Sequence, residues 1–241
     1  MSAMRGQANI CWAHNLGLVD YGKSMQLQDR LLSARAAGRI PDTILLLQHP
    51  PVLTIGSSGG DENISCSHDI LTEEGITIIH TDRGGNITYH GPGQLVGYLI
   101  FDLRNMGKDL HQYVHDLEEA IIRTLAEFSI PAHRESRYVG VWVQQKKVCS
   151  LGIRVRHWIT KHGFALNINN DLKCFSYIHP CGIDDREVTS ISQLLGHEIT
   201  VEDVIECLIE HLSQVFHVSI QGNTKQEFTG EPCLLEDIRV G

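Results

Sequence analysis

Apolar residues recur at helical spacing from Tyr21 to about Arg39, and Gly38 and Pro41 mark the end of the run, so the pattern predicts a helix and its stop. Two short apolar runs follow at residues 43–47 and 52–55, separated by His49-Pro50-Pro51. Because proline fixes φ and lacks an N–H donor, these read as two strands around a rigid turn. A short helix over 68–74 and a strand over 76–80 lead into a glycine-rich loop and then the apolar run 95–103. From Leu110 to Phe128, residues Tyr113, Leu117, Ile121, Leu125 and Phe128 share one face, which predicts an amphipathic helix with its charges outside. Three β-rich runs at 138–143, 148–155 and 164–168 read as a meander. Thr200-Val-Glu-Asp203 has the form of a capping box, opening a helix to Phe216 with Val204, Leu208, Leu212 and Val215 on one face.

Strands and helices are thus interleaved, while the meander is antiparallel in character. The fold class expected is α/β, a mixed α+β single domain with a central mixed sheet and flanking helices. A length of 241 residues suits one domain with its own core. No repeat or linker divides the chain, but from Gln221 onward it is polar, holds Gly222, Gly230 and Pro232, and loses its periodicity. The expected organisation is a catalytic domain over 1–220 and a loosely attached tail over 221–241.

Charge narrows the partners. The formal net charge is −9, so no general positive field is available for nucleic-acid phosphates, and DNA and RNA are not expected as partners. The N-terminus has no apolar core of signal-peptide length, and no later run could span a bilayer. A cytoplasmic protein without a membrane partner is expected. The seven cysteines, Cys11, Cys66, Cys149, Cys174, Cys181, Cys207 and Cys233, never form C-x-x-C. Reduced thiols fit this better than a disulfide framework or a zinc site. His111 and His115 have i,i+4 spacing, but H-E-x-x-H is missing and Asp116, Glu118 and Glu119 mark a solvated helix face, so no metal is expected.

Four segments hold more chemistry than their elements require. Arg83-Gly-Gly-Asn-Ile-Thr-Tyr-His-Gly-Pro-Gly-Gln94 crowds four glycines, a charge and a histidine between two apolar runs, which lets backbone approach a ligand closely, unless the glycines serve turn geometry alone. Lys146-Lys147-Val-Cys-Ser-Leu-Gly152 sets Lys147 at the start of a β-rich run, where a solvated hairpin lysine is the ordinary alternative. His162-Gly-Phe-Ala-Leu-Asn167 enters a strand through a glycine. Ile178-His-Pro-Cys-Gly-Ile183 places Cys181 between a fixed and a permissive backbone, which can expose a thiol and aim the flanking N–H groups. Neither G-x-x-x-x-G-K-[ST] nor a G-x-G-x-x-G before a helix is present.

In this order and spacing, RGGNITYHGPGQL, KKVCSLGIRV, HGFALNIN and HPCGI resemble the signature segments of the lipoyl(octanoyl) transferases, over most of the chain from about Ile44 to Phe216. The resemblance implies the α/β fold shared with biotin and lipoate ligases. It implies that Cys181 carries the acyl group and that Lys147 is its proton-transfer partner. It further implies an acyl-substrate pocket lined by Arg83, Gly84, Gly85, Asn86, Ile87, Thr88, Tyr89, His90, Ser150, Leu151, Gly152, Gly163, Phe164 and Ala165. The implied reaction carries octanoyl from acyl carrier protein to a lysine of lipoyl domains, those of 2-oxoacid dehydrogenase E2 subunits and the glycine cleavage H protein, with no cofactor. Rival readings are an ATP-dependent lipoate or biotin ligase and a non-catalytic module that only holds the acyl chain. The paired Cys181 and Lys147 weigh against both, and the missing G-R-G-R-x-G-type loop weighs against the ligase. Cys149, inside a strand without flanking Pro or Gly, reads as packing. Finally, Arg154, Arg156 and Lys161 lie in the densest basic stretch of an acidic chain, either a docking patch for acidic partners or a solvated strand edge.

Overall fold

A computed structural model describes residues 9–179 and 187–222. The backbone organises around a mixed sheet that, among the described residues, has eight strands: β1 (Asn9–Leu18), β2 (Asp42–Gln48), β6 (Gln94–Ile100), β7 (His133–Arg134), β8 (Val141–Val143), β9 (Lys146–Arg156), β10 (Ile159–Asn167) and β11 (Val218–Gln221). Their spatial order is β11-β1-β2-β6-β10-β9-β8-β7. β1 pairs in parallel with both β11 and β2, and every other neighbouring pair is antiparallel. A second sheet, β4-β3-β5, is built from β3 (Val52–Ile55), β4 (Thr77–His80) and β5 (Ile87–His90).

Both faces of the large sheet are covered, which explains why its central strands read as unbroken apolar runs instead of alternating. Along β2, Ile44 and Leu46 pack with α3 (Leu110–Glu127) and α5 (Val201–Phe216) through Leu117, Ile121, Leu125, Val204, Leu208 and Leu212. Leu45 and Leu47 face the other way, with Val96, Tyr98 and Ala165, against Leu27 and Leu31 of α1 (Tyr21–Ala36). The small sheet has its own core, in which Leu53, Ile55, Ile87 and Tyr89 meet Leu71 of α2 (His68–Glu73).

Helix ends follow local chemistry. Asp20 caps α1 through the Lys23 N–H, Asp109 caps α3 through that of Gln112, and Thr200 with Asp203 forms the capping box predicted for α5. A short helix, α4 (Ile191–Leu195), precedes α5. The meander expected over 138–168 is present as β8-β9-β10. Among the described residues, four strands went unread in the sequence: β1, the two-residue β7, β11, and β5, which occupies a third of the glycine-rich segment 83–94. No helix among the described residues is long and apolar enough to cross a membrane.

Candidate functional site

Three of the four segments converge. The S-L-G and G-F-A segments are direct register partners across β9 and β10, with Ser150 opposite Ala165, Leu151 opposite Phe164 and Gly152 opposite Gly163. Over them lies the loop before β5. Gly84 donates its N–H to the Ile153 carbonyl at 3.2 Å, and a Cβ on Gly152 would come within 2.8 Å of the Gly84 carbonyl oxygen. Glycine at these two positions is what allows the loop to lie flat against β9.

Between these walls is a cavity of about 250 Å³. Arg83, Gly85, Asn86, Ile87, Thr88, His90, Ser150, Leu151, Gly152, Gly163, Phe164 and Ala165 all line it, as does Lys147. Gly84 and Tyr89, the other two residues expected in the pocket, are not among the lining residues: Gly84 is held against Ile153, and Tyr89 is buried in the small-sheet core, edge-on to Phe175 at 5.6 Å. The sequence reading missed Tyr21, Val96, Tyr98, Arg137, Tyr138, Val139, Trp142, His162, Phe175, Glu187 and Val188 as lining groups. Of these, only His162 stood in a quoted segment, and it had no role assigned.

Lys147 is fixed by its backbone on both sides. On one side β9 pairs with β8, Trp142 lying opposite Lys147. On the other, the chain resumes after residue 186 alongside it: the Lys147 N–H donates to the Glu187 carbonyl and the Thr189 N–H to the Lys147 carbonyl, each at 2.9 Å. The ammonium lies 4.8 Å from the centre of the Trp142 ring, a cation–π distance. Gly140 (φ 135°) leaves room for the lysine, since a Cβ there would meet the Cys149 carbonyl at 2.7 Å and the Lys147 side chain at 3.3 Å.

The polar wall of the cavity is one hydrogen-bonded chain whose donors and acceptors can be assigned. Arg83, nearly fully buried, donates through Nε and Nη2 to the Thr54 hydroxyl at 3.1 and 2.9 Å. That hydroxyl stands 3.3 Å from His90 Nε2. Gln94 uses its amide nitrogen to donate to the Tyr89 carbonyl and to Asn167 Oδ1, so its oxygen must accept from His90 Nδ1–H, at 2.7 Å. The Nε2 lone pair of His90 therefore accepts from Thr54.

Burial drives the rings here to the neutral form. It pushes His49 and His162 down to about 4, and with the repulsion of nearby cationic groups it takes His90 well below the ordinary histidine range. His162 adopts φ 62°, an uncommon left-handed backbone for a non-glycine residue, and sets Nε2 2.8 Å from Asp82. Burial works to raise the Asp82 carboxyl, but the His162 hydrogen bond and the Lys161 ammonium outweigh it and hold the group below its usual range.

Cys149 is packed in the main core, where burial pushes its thiol well above the ordinary range, an inert setting for sulfur. Cys181, the expected acyl carrier, and the rest of its loop from Pro180 to Arg186 lie outside the described residues, as do residues 223–241 of the expected tail. The segment before that loop is anchored by the His179 N–H on the Asn63 carbonyl at 2.8 Å, and the segment after it by Lys147.

The fold is that of a mixed-sheet α/β protein with a largely apolar cleft, walled by glycine-softened strands and a buried polar chain and with a lysine at one wall. Residues 20–213 match the family described as the lipoyl protein ligase A/B catalytic domain, and the chain belongs to that family. A protein of Caldicellulosiruptor saccharolyticus named octanoyltransferase is 46% identical over 221 residues, covering 91% of this chain and 93% of that one. The solved structure of lipoate-protein ligase A bound with ATP superposes with a TM-score of 0.70 at 15% identity, covering 90% and 89% of the two chains. Biotin protein ligase of Aquifex aeolicus in complex with biotin and ATP follows at 0.51 and 16% identity, covering 87% and 70%. The fold class expected from sequence is therefore the one found.

Proposed function

We propose that this protein is an octanoyltransferase that takes octanoyl from acyl carrier protein as a thioester on Cys181 and passes it to the lysine of lipoyl domains. The targets are those of 2-oxoacid dehydrogenase E2 subunits and the glycine cleavage H protein, and residues 1–220 form the catalytic unit. The observation that carries this reading is the 46% identity to an octanoyltransferase over nearly the whole chain, joined to an apolar cavity with Lys147 in its wall. Ligase structures bear on the fold alone at their 15–17% identity, and do not favour an ATP-dependent reaction.

The chemistry follows from bond types. Lys147 takes the Cys181 proton, the thiolate attacks the donor thioester carbonyl, and the carrier thiol leaves with that proton. The acceptor amine then attacks the new thioester, an amide forms, and the Cys181 thiolate leaves and is reprotonated. Thioester exchange conserves bond type and amide formation runs downhill, so no activating nucleotide enters. The apolar walls around Leu151, Val96, Phe164 and Ala165 suit an alkyl chain, and a cavity near the lower end of the usual ligand-pocket range, roughly 300 Å³, suits a short one. Lipoyl domains as acceptors are supported by the family, the lipoyl protein ligase A/B catalytic domain, and by relatives named octanoyltransferase.

Intact-mass analysis after incubation with octanoyl carrier protein, without ATP, tests the proposal. A single octanoyl adduct that disappears in Cys181→Ala supports it. An adduct that survives in Cys181→Ala, or one that forms only with ATP and free octanoate, overturns it.

A further inference from the structure

The hydrogen-bonded chain that starts at Arg83 does not end at Gln94. Asn167, the last residue of β10 and almost fully buried, accepts from Gln94 Nε2 at 2.9 Å and from Asn170 Nδ2 at 3.2 Å. With its own Nδ2 it donates to the Thr189 carbonyl at 3.0 Å. Thr189 is also buried, and its N–H holds the Lys147 carbonyl. One amide side chain therefore ties the cavity's polar wall to the short segment that runs beside Lys147 and pairs with it through Val188. The link spans 22 positions in sequence and belongs to no ladder of the sheet.

We infer that Asn167 is a positioning residue for proton transfer: by holding the Thr189 carbonyl it sets where Lys147 stands relative to the cavity. This rests on the proposed role of Lys147. Both acceptor sites on its oxygen are taken and its donor is committed to a single carbonyl, so the orientation of the amide is determined by its partners. Replacing it leaves a buried carbonyl without its partner and frees the segment against which Lys147 is registered. Small displacements matter at such a site, because a misplacement of about 1 Å far from the reacting atoms costs on the order of 100-fold in rate.

The test is the variant N167D, which keeps the oxygen that accepts from Gln94 and Asn170 but turns a second oxygen, not an N–H, toward Thr189. Asn167→Ala removes the same donor without adding charge and serves if N167D does not fold. Asn170→Ala is the matched control, since it deletes a bond to Asn167 and leaves the Thr189 bond intact. With a small octanoyl thioester as donor, both Asn167 variants are expected to lose kcat by about 100-fold with KM within about twofold, and to move the pH–rate limb that Lys147→Ala abolishes. Asn170→Ala, at a comparable loss of melting temperature, is expected to keep both kcat and that limb. If all three variants lose kcat in proportion to stability, or if the Asn167 variants raise KM alone, the inference is overturned. Should Lys147→Ala itself retain wild-type kcat, the reading of Lys147 fails instead, and the two failures are told apart.

Discussion

At the scale of single residues, Lys147 and Cys149 show how two neighbours in one strand take opposite fates. Cys149 faces the core between the sheet and α3, while Lys147 reaches along Trp142 into the cavity wall. Cys149→Ala is accordingly expected to leave acylation largely intact, whereas Lys147→Ala lowers transfer by about 100-fold or more, the scale of a lost acid–base group. Lys147→Arg should not restore it, because a guanidinium does not release its proton near neutral pH. Steady-state rates with octanoyl carrier protein for the three variants decide the matter, and near-wild-type activity in Lys147→Arg would contradict the role.

The neutral rings beside the cavity make a second residue-scale prediction. Burial holds His49 and His162 at about 4, while an unfolded histidine takes its proton near 6.5. Between those values the unfolded chain binds more protons than the folded one, so stability is full above pH ~6.5 and falls as pH drops toward ~4. Each ring removes on the order of 3 kcal/mol of stability by the acid end of that window. Urea midpoints measured from pH 7 to 4.5 should therefore decline, and His49→Gln should flatten the decline. A midpoint independent of pH across this range would show that the rings are not held neutral.

Among elements, those whose signal is local were readable and those that depend on distant partners were not. The helices α1, α3 and α5 declare themselves by one apolar stripe and a capping side chain. Strand β1 does not: Asn9–Leu18 mixes histidine and asparagines with its buried Cys11 and Ala13, and its place is set by parallel pairing to β2 and β11. Ile87–His90 becomes a strand because β3 is there to pair with it. The same holds for the site. Backbone-permissive segments and the lysine were visible in sequence. The links from Arg83 to Thr54, from Thr54 to His90 and from Gln94 to Asn167 join residues 29, 36 and 73 positions apart, and no local pattern announces them.

Packing between elements is testable at Gly97. It lies opposite Phe164 across β6 and β10, and a Cβ there would collide with the phenyl ring. Gly97→Ala is expected to destabilise by about 1–3 kcal/mol, as overpacked cores do. It should also lower octanoyl affinity, because Phe164 lines the cavity. Combining it with Phe164→Leu should recover much of the stability, and a double variant no more stable than Gly97→Ala would refute the contact as the cause.

At the scale of the whole molecule, an enzyme of net charge −9 would meet the proposed carrier protein and lipoyl domains, if they are acidic, only through a locally inverted field. The structure divides the basic stretch considered in the sequence. Lys161 leaves the set: it is buried, with its ammonium 2.6 Å from Asp29 and 3.2 Å from Asp82, the carboxylate that also meets His162. Arg154 and Arg156 are exposed on β9, and the hairpin beyond them ends in Trp158, 42% exposed. Charge reversal at Arg154 and Arg156 together should raise KM for octanoyl carrier protein while leaving a small octanoyl thioester nearly unaffected, since steering acts on the encounter and not on the cavity. The penalty should be largest at low salt and shrink toward physiological ionic strength, where the Debye length is about 8 Å. Lys161→Glu should behave differently, lowering the melting temperature and impairing both donors alike, because it sets three carboxylates against one another beside His162. Equal losses with both donors for the Arg154 and Arg156 reversal would assign those arginines to the support of β9 and leave the docking face to be sought elsewhere on the surface.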